Sequence, residues 1–137
     1  MKILIETLVN APLSTVWNAW VTPEDITHWN TASDEWCCPS AELDLSQGGR
    51  FNYRMQAKDG TAGFDFEGEF TAIIPHQLIR YQLADQRMVE IKFTALKNSV
   101  EIIQTFDTED NHTAEQQKQG WLSILNSFKN YVENKTH

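Results

Sequence analysis

The hydrophobic residues in the last part of the chain recur at the spacing of one helical face. Six of them follow the i, i+3, i+4 rule: Trp121, Ile124, Leu125, Phe128, Tyr131 and Val132. Thr113 and Gln116 stand three positions apart, as in a capping box at the start of a helix. We therefore predict one long amphipathic helix from Thr113 onward, whose apolar face must pack on a large apolar surface.

Gly120 lies in the middle of this predicted helix. A glycine there costs about 1 kcal/mol relative to alanine, so some feature of the fold must compensate. Two interpretations are open. Either Gly120 allows close packing against a strand, or Gly120 and Trp121 border an internal cavity.

Seven earlier stretches alternate apolar and polar residues, which is the pattern of half-buried strands. They cover residues 3–9, 41–45, 51–55, 64–72, 78–83, 89–96 and 100–106. Short segments rich in Gly, Asp, Asn and Ser separate most of the later strands and are typical of tight turns. Strands in such a meander pair antiparallel, so we predict an antiparallel sheet of about six to seven strands.

Two short helices are predicted between the first and second strands. Pro12 suits the first turn of one helix. Thr22 and Pro23 begin the other, which ends near Trp29. Residues 31–39 are expected to form a loop. This order of elements is typical of an α+β fold, and residues 1–137 are predicted to form one domain.

The charge of the chain excludes some classes of partner. Nineteen acidic residues against eleven basic ones give a net charge of −8. Nucleic acids and anionic membranes are bound largely through Lys and Arg, so we expect neither as a partner. The apolar run at the N-terminus ends at Glu6 and is too short for a signal or membrane segment. We therefore expect a cytoplasmic protein.

The sequence indicates neither a metal site nor a disulfide framework. The four histidines lack ligand spacing: His28, His76, His112 and His137. Cys37 and Cys38 are adjacent, so they cannot join distant segments, and we expect two reduced thiols rather than a redox pair. No metal, cofactor or catalytic residue is predicted.

Three acidic residues on one predicted strand could resemble a catalytic cluster. Asp65, Glu67 and Glu69 alternate with Phe64, Phe66 and Phe70. If the phenylalanines face the helix, the acids face solvent. The reversed arrangement would place three like charges in the interior and raise their pKa values, as acid–base catalysis requires. We predict the solvated face.

Several short segments, in their order and spacing, resemble a known family. They are Ala11-Pro12 with Val16-Trp17, Pro23 to Trp29, Gly48-Gly49-Arg50-Phe51, Gly68-Glu69-Phe70 with Ile74-Pro75, and Gln119-Gly120-Trp121 with Leu125. Together they resemble the START-like (SRPBCC) helix-grip superfamily, in the branch named for the activator of heat-shock protein 90 ATPase. The resemblance implies a curved sheet that grips the C-terminal helix around an apolar cavity.

A set of large side chains at strand centres and on the helix gives the candidate ligand-binding residues. They are Trp29, Phe51, Tyr53, Phe66, Tyr81, Phe93, Gln104, Trp121 and Leu125. They either fill a plain core or line the cavity that the resemblance implies. In the second case the tyrosine hydroxyls, the Gln104 amide and the indole N–H groups could orient a ligand, with the 31–39 loop at the mouth.

Three functions follow from the resemblance, because this fold does not define one activity. The first is an intracellular binding domain for a small apolar or aromatic ligand. The second is a chaperone-associated, stress-response domain that acts through its surface. The third and least favoured is a cavity enzyme of the hydrolase, dehydratase or cyclase type. The sequence leaves the choice between monomer and homodimer open.

Overall fold

The computed structural model describes residues 1–135, so His137 lies outside the described part. The elements, in chain order, are β1 (Lys2–Val9), α1 (Leu13–Val21), α2 (Pro23–Trp29), β2 (Trp36–Leu43), β3 (Arg50–Ala57), β4 (Gly63–Ile74), β5 (Leu78–Leu83), β6 (Met88–Ala95), β7 (Val100–Asp107) and α3 (Ala114–Lys135). The seven strands form one antiparallel sheet in the order β1-β7-β6-β5-β4-β3-β2. The predicted α+β helix-grip architecture is confirmed.

Helix α3 begins and packs as its sequence predicts. The Gln116 backbone N–H donates to the Thr113 hydroxyl, and the Thr113 N–H donates to the Gln116 side chain, both at 3.1 Å. This reciprocal pair is the predicted capping box. Leu125, Phe128 and Val132 are almost fully buried and belong to the common core. The apolar face of the helix therefore packs on the sheet.

Polar contacts join the C-terminal half of α3 to the end of strand β1. The Lys129 ammonium donates to the Leu8 carbonyl at 2.6 Å, and the Asn10 backbone N–H donates to the Glu133 carboxylate at 2.9 Å.

Helix α2 is also joined to α3. Its Asp25 carboxylate accepts hydrogen bonds from the Tyr131 hydroxyl and from the Lys135 ammonium. These polar contacts join α3 to β1 and to α2.

Strand β4 pairs irregularly with β5. Its register with β5 shifts between Phe70 and Ala72, which marks a β-bulge. Near the bulge, a Cβ added at Gly68 would lie 2.4 Å from the Gln82 carbonyl oxygen and 3.1 Å from the Phe51 ring. Only glycine fits this close approach, which brings the strands together beside the bulge.

The acidic residues of β4 lie on the solvent face, as predicted. Asp65, Glu67 and Glu69 are exposed. Asp65 and Glu69 lie near Arg54 and Arg50 of β3, and Glu67 accepts a hydrogen bond from Asn52. The acids are therefore paired across the outer surface of the sheet and do not form a buried acid–base cluster.

The predicted loop over residues 31–39 is wrong in its second half. Strand β2 already begins at Trp36, which pairs with Ala57, and Cys37 pairs with Gln56. The pattern concealed this strand because Pro39 interrupts it. An edge strand tolerates a proline at a bulge, and the register does shift between Cys37 and Ser40. Within the strand, burial raises the pKa of the Cys38 thiol, which favours its protonated form.

Candidate functional site

A cavity of about 430 Å³ lies between the concave face of the sheet and α3. Its walls are largely apolar and come from every layer of the fold. The sheet contributes Tyr53, Met55, Phe66, Phe70, Ile79, Tyr81 and Gln104, the short helices Trp20, Val21 and Trp29, and α3 Gly120, Trp121 and Ile124. The interior is therefore hollow at the position where a helix-grip fold holds its helix.

Six of the nine candidate residues meet in this cavity. They are Trp29, Tyr53, Phe66, Tyr81, Gln104 and Trp121. The structure places the other three in the solid core and not in the cavity lining. They are Phe51, Phe93 and Leu125, each less than 5% exposed. Phe51 packs edge-on against Tyr81, and Phe93 packs edge-on against Trp17. Leu125 belongs to the common core and is not among the residues that line the cavity.

Gly120 faces open space rather than a packed strand. Apart from its chain neighbours and the backbone of its own helix, a Cβ added at this residue would meet no heavy atom of residues 1–135 within 4 Å, and Gly120 lines the cavity. Of the two interpretations of this glycine, the structure supports the cavity border. The neighbouring Trp121 also lines the cavity and meets Phe66 edge-on, with ring centroids 5.9 Å apart.

Three polar groups project from the sheet into the cavity. The side chains of Tyr53 on β3, Tyr81 on β5 and Gln104 on β7 form no hydrogen bond within residues 1–135. No sealed side-chain nitrogen or oxygen of the described chain lacks a partner, so these polar atoms are reached from the cavity space. They are therefore available to a molecule inside it.

Both cavity tyrosines retain their protons at neutral pH. Burial raises the pKa of Tyr53 above its usual range, and the nearby Cys38 thiol raises it further. Burial likewise raises the pKa of Tyr81, and the Tyr53 hydroxyl adds to the shift. Each hydroxyl is thus a neutral hydrogen-bond donor.

The indole of Trp29 has a structural role. Its N–H donates to the Ala19 carbonyl at 2.8 Å, which joins α2 to α1. Its ring meets Trp20 and Phe128 at centroid distances of 5.0 Å and 4.9 Å. This indole N–H is therefore occupied and is not one of the groups that could orient a ligand.

The opening of the cavity is marked by lining residues that are also solvent-exposed. They are Ala32, Phe64, His112 and Gln116. At this rim the buried Gln117 amide accepts from the Glu109 backbone N–H and donates to the Glu109 and His112 carbonyls. The 109–112 segment is thereby held against the start of α3. The sequence pattern did not predict this role of Gln117. The capping-box signature ends at Gln116, and no other sequence signal points to Gln117.

The charged side chains that line the cavity have partners at the rim. Arg87 donates to Asp85 at 2.7 Å, and the His112 ring lies 2.9 Å from the Glu109 carboxylate. Within residues 1–135, no cluster of three or more His, Cys, Asp or Glu side chains has an arrangement that could hold a metal ion.

None of the helices in the described part of the chain has the length and apolarity needed to cross a membrane.

A curved antiparallel sheet closed by a long C-terminal helix around a cavity defines a START-like helix-grip domain. Residues 10–133 match the family profile described as "Activator of Hsp90 ATPase homolog 1-like protein". The chain belongs to this family.

Solved structures from several bacteria are similar to this one. The solution structure of the AHSA1-like protein from Aeromonas hydrophila is 41% identical, with a TM-score of 0.94 over 99% of this chain and 94% of that one. A protein from Cytophaga hutchinsonii is 42% identical, with a TM-score of 0.84 over 98% and 94%. One from Nitrosomonas europaea shares only the fold, at 14% identity and a TM-score of 0.84 over 99% and 96%. No functionally curated protein matches the chain.

Proposed function

We propose that this protein is a binding domain that encloses a small apolar or aromatic molecule between the sheet and α3. The observation that carries this proposal is the cavity itself. Its volume of about 430 Å³ falls within the range of roughly 300–1,000 Å³ that small-molecule sites occupy. A solid core of this size class would instead leave few voids larger than a water molecule.

The composition of the walls favours an apolar guest. Aromatic rings from the sheet, the short helices and α3 surround the space, and Phe64 stands half-exposed at its opening. Affinity would come from removing apolar ligand surface from water, at about 25 cal/mol per Å². The few polar groups in the walls would set the orientation of the ligand.

A thermal-shift and calorimetric screen against small aromatic compounds tests the proposal. A compound present at one hundred times its dissociation constant should stabilise the fold by roughly 2.7 kcal/mol. The blocking variant is Gly120→Leu, which places a side chain in the open space beside Gly120. The matched control is Asn126→Leu at an exposed position of the same helix.

Binding that Gly120→Leu abolishes and Asn126→Leu leaves intact would support a ligand inside the cavity. Equal binding by both variants would assign the ligand to another surface. The absence of any stabilising compound would contradict the proposal.

Chaperone association is a second candidate, and the family description is the observation that favours it. In that case the outer surface, with its paired acidic residues on β4, would carry the function. Stimulation of the ATPase rate of purified heat-shock protein 90 by this protein would support this role. An unchanged rate together with no complex on size-exclusion chromatography would exclude it.

A further inference from the structure

Three unpartnered polar groups on the sheet side of the cavity define the chemistry of its ligand further. We propose that the ligand is an uncharged ring compound carrying a hydrogen-bond-accepting oxygen, and that Tyr53, Tyr81 and Gln104 bind this oxygen at the sheet. This inference rests on the proposed function of the cavity and goes beyond it by naming the ligand class.

An accepting oxygen is favoured because the cavity offers donors that the protein leaves unused. Two phenol hydroxyls and one amide lie in largely apolar walls, without a partner in the described chain. A purely hydrocarbon ligand would displace water from these groups and return no hydrogen bond. Leaving buried polar groups unpaired in this way costs affinity, so such a site discriminates against ligands that lack the oxygen.

An uncharged ligand is favoured because, within residues 1–135, each charged side chain that lines the cavity already has a partner. Besides the two tyrosines, three ionisable side chains line it. Arg87 is paired with Asp85, and Glu109 is paired with His112. A carboxylate beside the tyrosines would lose its hydration, and the cation whose charge reaches Tyr81, Arg87, is already paired with Asp85. The net charge of −8 also disfavours the approach of an anion.

A ring is favoured because the walls present flat aromatic faces and edges. Trp121 and Phe66 approach each other edge-on from opposite layers, and Trp20 and Trp29 lie side by side on the helical wall. Offset and edge-to-face contacts with such rings stabilise an aromatic guest beyond its buried area. A flexible acyl chain would also lose more conformational freedom on binding than a rigid ring.

Three matched bicyclic compounds test the ligand class on the full-length protein by NMR titration. They are tetralone, which carries a ketone, tetralin, which lacks it, and the tetralin carboxylate, which is anionic. We expect tetralone to bind at least roughly tenfold more tightly than tetralin, as one satisfied hydrogen bond predicts. The carboxylate should bind most weakly.

The variants Tyr53→Phe, Tyr81→Phe and Gln104→Leu assign the preference to residues. Each should weaken tetralone severalfold, because only the ketone uses these groups. The binding of tetralin should not weaken, and it should tighten where the variant removes a polar group that tetralin leaves unpaired. Tyr131→Phe is the matched control, since its hydroxyl bonds to Asp25 and does not line the cavity. It should leave the binding of both compounds unchanged.

The outcomes distinguish a failure of the proposed ligand class from a failure of the proposed binding function. If tetralone and tetralin bind equally, or if the three variants keep the tetralone preference, the ligand class is wrong while cavity binding stands. The tightest binding by the carboxylate would overturn the claim of an uncharged ligand. If no ring compound of any kind binds, the proposed function fails as well.

Discussion

The indole of Trp121 stacks on the ring of Phe106, with centroids 4.3 Å apart and an interplanar angle of 10°. Phe106 is fully buried on β7, whereas Trp121 is half-buried and also lines the cavity. One residue of α3 thus contacts the solid core with one part of its surface and the cavity with another. The stack holds the helix on the sheet without filling the space beside it.

Replacing Trp121 tests how much this stack supports the fold. Trp121→Ala should lower the free energy of unfolding by about 2–4 kcal/mol, since it removes the contacts with Phe106 and Phe66 and enlarges the cavity. Urea denaturation measures the loss. Trp121→Phe keeps a ring and should cost less. A loss below about 1 kcal/mol, as at an ordinary surface position, would show that the stack is not important for stability.

Gly120→Ala should stabilise the protein and weaken ligand binding. The new methyl group meets no atom within 4 Å, so the change removes the helix penalty of glycine, worth about 0.5–1 kcal/mol. The same methyl group enters the cavity and reduces its volume. Thermal unfolding and a ligand titration measure the two effects. A destabilised variant would contradict the open space beside Gly120.

Gly68→Ala should destabilise the fold strongly. The added methyl group would collide with the Gln82 carbonyl at 2.4 Å, and backbone atoms there cannot move aside without disrupting the β4–β5 pairing. We expect a loss of about 3 kcal/mol in the free energy of unfolding. Gly63→Ala on the same strand is the control, because its nearest contact is the flexible end of Arg54. Equal losses in the two variants would refute the close approach.

Asp107 should contribute stability that disappears in acid. The Lys2 ammonium and then the Met88 backbone N–H hold the pKa of this carboxyl below its ordinary value. A lowered folded-state pKa stabilises the protein above the ordinary pKa, and the contribution is lost as pH falls through the folded-state value.

Asp107→Asn should therefore cost about 0.5–1 kcal/mol at pH 7, a modest figure because Lys2 is mostly exposed. The difference should be smaller at pH 2 than at pH 7. Urea titrations at both pH values make the comparison, with exposed Asp110→Asn as control. A difference as large at pH 2 as at pH 7 would mean that the carboxylate charge is not the cause.

Gln117→Ala should loosen the rim of the cavity. The change removes three hydrogen bonds that hold residues 109–112 and should cost about 1–3 kcal/mol. The direct readout is hydrogen exchange at the Glu109 amide, which should become faster. Gln119→Ala serves as the control, because within residues 1–135 that side chain bonds only to exposed Glu115. Unchanged protection of the Glu109 amide would show that Gln117 does not hold the rim.

Local sequence patterns predicted most of the helices and strands, because the interactions that form these elements act over a few residues. The Thr113–Gln116 capping box and the strand alternation each depend on neighbours within one turn or one strand. Alternation also placed Asp65 and its acidic neighbours on the solvent face. The pattern failed at Trp36, whose strand depends on pairing with Ala57, a partner distant in sequence.

The sequence by itself determined the α+β order of elements, the apolar stripe of α3 and six of the side chains that line the cavity. Only the tertiary structure decided that Tyr53 lines the cavity while Phe51, on the same face of β3, lies in the solid core. That division depends on how α3 packs over the sheet. Periodicity gives the face of a residue, but whether that face meets atoms or open space depends on how separate elements pack together.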